Sequence, residues 1–219
     1  MATEIELHRE LLFPCPIYYY DLPTFLPVVR KISREYLKKA QEKHNPKGEK
    51  HLLAMSDHFA HDERLKEFCS ELAEVCHYIL ASSGYQMDNL STFFTAMWTQ
   101  EHHYLSLMEN HVHGHGEQLV GFYCLDAPDK CSRVVFHDPR AGKVQINLPE
   151  QDHSAVTLAS QMINFELKPG RMFIAPAWLP HSFTRNMNPK KPTRFVHFDV
   201  GIQYTPQHAC ECVPAAEVI

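Results

Sequence analysis

The chain has 219 residues, a formal net charge of −5 with histidines neutral, 21% charged residues and 44% hydrophobic residues. That length allows one sizeable core, and the balance excludes a disordered chain. The negative charge disfavours non-specific binding to nucleic acid or an anionic membrane.

No apolar run approaches the roughly eighteen residues of a membrane-spanning helix, and the start Met-Ala-Thr-Glu-Ile-Glu lacks the basic-then-apolar pattern of a secretory leader. The seven cysteines are odd in number and irregularly spaced, which predicts reduced thiols and a cytoplasmic protein. Cys210-Glu211-Cys212 beside His208 has metal-binding chemistry but is read as a polar tail, and Asn188 to Pro192 as a solvated basic turn.

Leu12 to Tyr20 sets aromatic and branched residues between prolines, the pattern of an edge strand. From Pro23 to about Glu42, Phe25, Val28, Val29, Ile32 and Tyr36 recur at helical spacing. A second helix is predicted from about Asp62 to Ser82, with Leu65, Phe68, Cys69, Leu72, Val75, Cys76 and Ile79 as its apolar stripe and Gly84 as its stop. Beyond Gly84 the pattern becomes short β-rich runs: Thr92 to Trp98, Leu119 to Leu125, Arg133 to Phe136, Lys143 to Leu148, Gln161 to Leu167, Arg171 to Ala175 and Thr193 to Gly201. Turn residues separate them, which predicts a sandwich or barrel with two helices packed outside.

Sixteen histidines are many for this length. His111 and His113 stand two apart, and in an extended segment residues i and i+2 point the same way, so both imidazoles can reach one ion. His181 follows a strand and the turn Pro176-Ala177-Trp178-Leu179-Pro180, which would hold it at a barrel mouth. Three protein ligands on one face leave three positions open on an octahedral metal, the arrangement of non-haem iron(II) oxygenases. The usual set there has a carboxylate where one of these histidines stands. A second local reading, His115 with Glu117, restores that acid, but Glu117 runs almost directly into the next strand and leaves little chain to turn around a metal. His102, His103, His153 and His197 are read as non-ligands.

Arg194 lies in an alternating strand that puts Arg194, Val196, Phe198 and Val200 on one face and Thr193, Phe195, His197 and Asp199 on the other. Its apolar companions lead us to expect Arg194 inside the barrel, where a buried guanidinium needs an anionic partner. A carboxylate matches it in bidentate fashion: either the far end of 2-oxoglutarate or an Asp or Glu in an internal ion pair.

On these residues the chain resembles the iron(II)/2-oxoglutarate-dependent oxygenase superfamily, and more narrowly an oxygenase family common in marine bacteria and their phages. The matching elements are Trp98, His111-Val112-His113, Val120-Gly121-Phe122-Tyr123, Asp138-Pro139-Arg140, Pro169-Gly170 through Pro180-His181, and Arg194 through Asp199, together with the opening Leu12 to Ile17. Two departures are a longer glycine-rich turn after His113 and Cys124 in place of a second tyrosine. The resemblance implies a mainly β protein, a double-stranded β-helix (a jelly-roll, cupin-like barrel) with N-terminal outer helices. It also favours His111 and His113 over His115 and Glu117.

The resulting expectation is a single domain over 1–219, with helical support at about 23–84 and a barrel core at about 92–204. It would be a dioxygenase, a hydroxylase by reaction type, with His111, His113 and His181 holding Fe(II) and Arg194 holding 2-oxoglutarate. C–H oxidation would be coupled to formation of succinate and CO2. Expected partners are dioxygen and a small-molecule or protein or peptide substrate, in the cytoplasm of a bacterium or a phage-infected host, with no membrane and no nucleic acid. Two rivals are a cupin-type three-histidine metalloenzyme that does not use 2-oxoglutarate and a non-catalytic binding barrel. Arg140 is expected to serve either the pocket or its own turn.

Overall fold

The computed structural model describes residues 8–49, 51–140, 142–143 and 148–205. The strand expected over 143–148 lies, but for its two ends, outside these residues, and so does the tail bearing His208, Cys210 and Cys212.

The described residues form two helices and ten strands. Strand β1 (Tyr18–Asp21) precedes helix α1 (Leu26–His44), which a short 3-10 turn at Pro23–Phe25 introduces. Strand β2 (Leu53–Met55) and helix α2 (Lys66–Ser82) follow. Then come β3 (Leu90–His102), β4 (Met108–His111), β5 (Glu117–Asp126), β6 (Val134–His137), β7 (Met162–Phe165), β8 (Arg171–Pro176), β9 (His181–Phe183) and β10 (Thr193–Tyr204). The two helices and most of the longer strands fall where periodicity puts them, with ends moved by a few residues. The three-residue strands β2 and β9 and the four-residue β4 are too short to leave a periodic signal.

Two antiparallel sheets face each other. The larger runs β1-β8-β5-β10-β3-β2 and the smaller β4-β9-β6-β7, the layout of a jelly roll. Phe122, Phe136, Phe173, Phe183 and Phe195 fill the space between them. A separate core forms on the outer face of the larger sheet, where Val29 and Ile32 of α1 and Phe68, Leu72 and Cys76 of α2 meet Met97, Tyr123, Val196, Phe198 and Val200.

The central strand β10 is therefore buried on both faces, and its alternation separates two interiors rather than core from solvent. Gly121, opposite Phe198, is required by packing, because a Cβ there would be driven into the Phe198 ring. Gly170 takes a φ of +85° to make the tight Lys168–Arg171 turn into β8, a conformation that other L residues adopt at a cost.

Candidate metal centre

Three elements bring His111, His113 and His181 together. His111 closes β4 and is the cross-strand partner of His181 at the start of β9. His113 lies two residues beyond, and its backbone N–H donates to the Ala177 carbonyl at 2.9 Å, which fixes it against the turn that leads to His181. That turn is closed by Leu179 N–H donating to Pro176 O at 2.9 Å. The ring centroids are 4.4 Å apart for His111 and His181, and 5.2 Å for His113 with each of the others. One ligand atom from each lies within 4.8 Å of the other two.

The hydrogen bonds around the rings fix which nitrogen is free. His111 Nδ1 is 2.8 Å from Glu109 O and His181 Nδ1 is 3.0 Å from Leu179 O. A carbonyl only accepts, so both Nδ1 atoms carry the proton and both Nε2 atoms keep a lone pair. His113 Nδ1 lies 3.0 Å from Asp199 Oδ1, which orders that ring in the same sense. Nε2 of His113 and of His181 are buried with no hydrogen-bond partner among the described residues. Orphaned buried acceptors are costly, and a metal ion would satisfy them. Burial pushes the His181 imidazole down to about 3, so it is neutral and able to ligate near pH 7.

Behind these rings sit further polar side chains. His197 stacks on Trp98 with centroids 4.1 Å apart and is 4.9 Å from His113. Burial lowers the His197 imidazole to about 4. Burial pushes the Asp199 carboxyl up, but His113 and His197 beside it outweigh that and leave it at about 2. The inward face of β3 carries Trp98, Gln100 and His102, and Trp98 Nε1, Gln100 Oε1 and His102 Nε2 are all buried without a partner among the described residues. Trp98 and Gln100 lie opposite His197 and Phe195 of β10.

Arg194 is not among these groups, contrary to the expectation from its apolar strand face. That face is turned to the helices. Arg194 lies opposite Glu101 and Asp126, and its guanidinium bonds to both carboxylates, with Nε 2.7 Å from Glu101 Oε2. Arg30 of α1 joins the cluster 3.1 Å from Asp126. The internal ion pair is therefore what the structure contains.

His115 is exposed at a φ of +59°, and among the described residues neither it nor Glu117 belongs to a set of three converging ligand atoms. Asp138 accepts hydrogen bonds from the backbone N and guanidinium of Arg140, so this arginine serves its own turn.

Residues 96–196 match the family model described as "Putative 2OG-Fe(II) oxygenase". The match spans 101 of the 219 residues and includes all three converging histidines. By this likeness the chain is a 2OG-Fe(II) oxygenase, using Fe(II) and 2-oxoglutarate with dioxygen and a substrate. Curated proteins include no match to the sequence.

Solved structures agree on the fold. AviO1 from Streptomyces viridochromogenes Tue57 superposes with a TM-score of 0.58 at 13% identity, covering 91% of this chain and 93% of that one. A Pseudomonas putida prolyl-4-hydroxylase gives 0.56 at 7% identity over 85% and 93%. EctD from S. alaskensis, solved with 2-oxoglutarate and 5-hydroxyectoine, gives 0.56 at 12% over 85% and 72%. At these identities the likeness speaks for the jelly-roll fold alone. Among the described residues of the oxygenase, no helix is long and apolar enough to cross a membrane.

Sequence reasoning set His197 aside and gave Asp199, Gln100 and His102 no part in the site. The signal was the alternation of β10, which groups Phe195, His197 and Asp199. Reading it correctly needed the knowledge that helices cover the other face.

Proposed function

We propose that His111, His113 and His181 hold the iron of this oxygenase through their Nε2 atoms, and that the enzyme is a hydroxylase acting as one domain, with the helices at about 23–84 supporting the barrel at about 92–204. The observation that carries the ligand assignment is the convergence of one ring nitrogen from each of three imidazoles, with Nδ1 of His111 and His181 held by carbonyls and Nδ1 of His113 beside the Asp199 carboxylate. When bound, iron(II) with 2-oxoglutarate supplies oxidative decarboxylation to succinate and CO2 coupled to attack on a substrate C–H bond.

The chain's own part is to position and to dry the site. Phe122 and Phe136 wall His181 on the inner side and exclude water. The inward face of β3 is the natural place for the distal carboxylate. Trp98 Nε1–H is a donor only and has no partner, and Gln100 and His102 extend the polar row. Arg194 is committed to Glu101 and Asp126, so it takes no part in this recognition. An Arg194 substitution thus does not separate a 2-oxoglutarate enzyme from a three-histidine enzyme that works without it.

The substrate is a small molecule or a peptide, and five unpaired thiols among the described residues suit a cytoplasmic setting. Incubation with iron(II), 2-oxoglutarate and dioxygen should yield succinate in wild-type protein and none in His181→Ala. Equal turnover in the two proteins would remove the ligand assignment.

A further inference from the structure

Iron(II) carries two positive charges, and the usual facial set of two histidines and one carboxylate cancels one of them at the metal. Three neutral imidazoles cancel none. The barrel interior holds one carboxylate close by. Asp199 is buried, with Oδ1 3.0 Å from His113 Nδ1 and 3.4 Å from His197 Nε2. Among the described residues these two imidazoles are the only basic groups within ion-pairing distance of it, and Oδ1 has no aligned hydrogen bond. The residue also marks a register break, because the pairing of β10 with β3 shifts between Asp199 and Val200. Bulges of this kind re-aim a side chain beside a functional centre. Ala96 and Val120, its neighbours across the two adjoining strands, contribute no polar atom that would compete for the carboxylate.

We propose that Asp199 is the positioning residue of the metal centre: through His113 it supplies the negative charge that a carboxylate ligand would otherwise bring to the iron. The carboxylate is displaced by one imidazole. His113 stands between Asp199 on its Nδ1 side and the metal on its Nε2 side, so the pair presents the ion with a more basic nitrogen and a nearby counter-charge. His197, stacked on Trp98, flanks the carboxylate on the other side at 3.4 Å. The inference rests on the assignment of His111, His113 and His181 as ligands.

A double-mutant cycle on the full chain tests it, with cobalt(II) affinity as one readout and the ferric/ferrous midpoint potential of the iron-loaded protein as the other. Asp199→Asn should bind metal roughly 10- to 100-fold more weakly than wild type, the usual effect of removing an outer-shell partner. Its midpoint should move positive, because the ferric state loses more from a missing negative charge. In a His113→Asp background the carboxylate is already a ligand, so adding Asp199→Asn should cause no loss and should relieve repulsion between two acids. Asp199→Ser removes the charge with less bulk and gives the same readouts if the amide disturbs folding.

Unchanged affinity and midpoint in Asp199→Asn, or an equal loss in both backgrounds, would overturn the charge role. A wild-type protein that binds no cobalt, or a His181→Ala variant that binds it equally well, would instead remove the ligand assignment on which the inference stands.

Discussion

Two polar clusters lie on opposite faces of β10, and they differ in how their polar atoms are satisfied. On the helix side, Arg194 is bonded to Glu101 and Asp126, and Arg30 adds a contact to Asp126 and to the Leu125 carbonyl. Charge balances charge and no outside partner is needed. On the inner side, His113, His181, His197, Trp98 and Asp199 together bury polar atoms that have no hydrogen-bond partner among the described residues. Buried orphans are a few per protein in most folds, and a concentration of them marks a place completed by a ligand. The comparison teaches that a buried arginine is not in itself a co-substrate site. What matters is whether its bonds are already made.

The largest expected effect comes from the inner cluster. His181→Leu should abolish iron binding and succinate formation while stabilising the metal-free protein. The buried Nε2 has no partner, so replacing the ring by an apolar group of similar bulk removes a desolvation penalty of about 1–3 kcal/mol. Thermal unfolding of the apo protein reads this directly, and a lower midpoint would break the comparison. Arg194→Ala should do the reverse. It leaves Asp126 with Arg30 alone and Glu101 with His103 alone, and a cost of about 1–3 kcal/mol is expected, between the values for exposed and fully buried pairs. Iron and 2-oxoglutarate affinities of the folded fraction should stay the same. A loss of 2-oxoglutarate binding at constant stability would restore the arginine to the site.

Acid sensitivity sharpens the same contrast. Burial depresses His102 to about 4 from an ordinary 6.5. The unfolded chain therefore takes up a proton that the folded chain refuses, and stability is lost as pH falls from about 6.5 towards 4. His102→Leu in the metal-free protein should flatten this limb by one proton, up to about 1.4 kcal/mol per pH unit. Denaturant midpoints at pH 7 and pH 5 measure it, and parallel pH profiles for the two proteins would show that His102 is not held neutral.

Much of this was legible in the sequence, and the exceptions have definite causes. The helices and the long strands follow from periodicity, and His111, His113 and His181 follow from spacing and turn residues. Arg194 did not, because alternation gives two faces without saying which one looks into the barrel. On β10 both faces are buried, one under Val29, Ile32 and Phe68 and the other under Phe122 and Phe183. Helices that begin more than a hundred residues away decide the question. Asp199 and His197 escaped for a related reason: they reach His113 only through pairing of β10 with its neighbours, and that distance along the chain carries no local pattern.

The smallest effect isolates a single orphan. Trp98→Phe keeps an aromatic ring to stack on His197 and to fill the space between the sheets, and it removes only the Nε1–H. That atom touches none of the three imidazoles proposed to bind iron, so metal loading should stay as in wild type. If the indole N–H donates to the distal carboxylate of 2-oxoglutarate, the variant should bind the co-substrate about 5- to 10-fold more weakly, the loss of one hydrogen bond of roughly 1–1.5 kcal/mol. The effect should fall on the KM for 2-oxoglutarate and spare kcat. Run beside Arg194→Ala, this measurement decides between the two faces of the strand. A weaker affinity in Trp98→Phe alone places co-substrate recognition on the inner face, and a weaker affinity in Arg194→Ala alone would place it on the helix side.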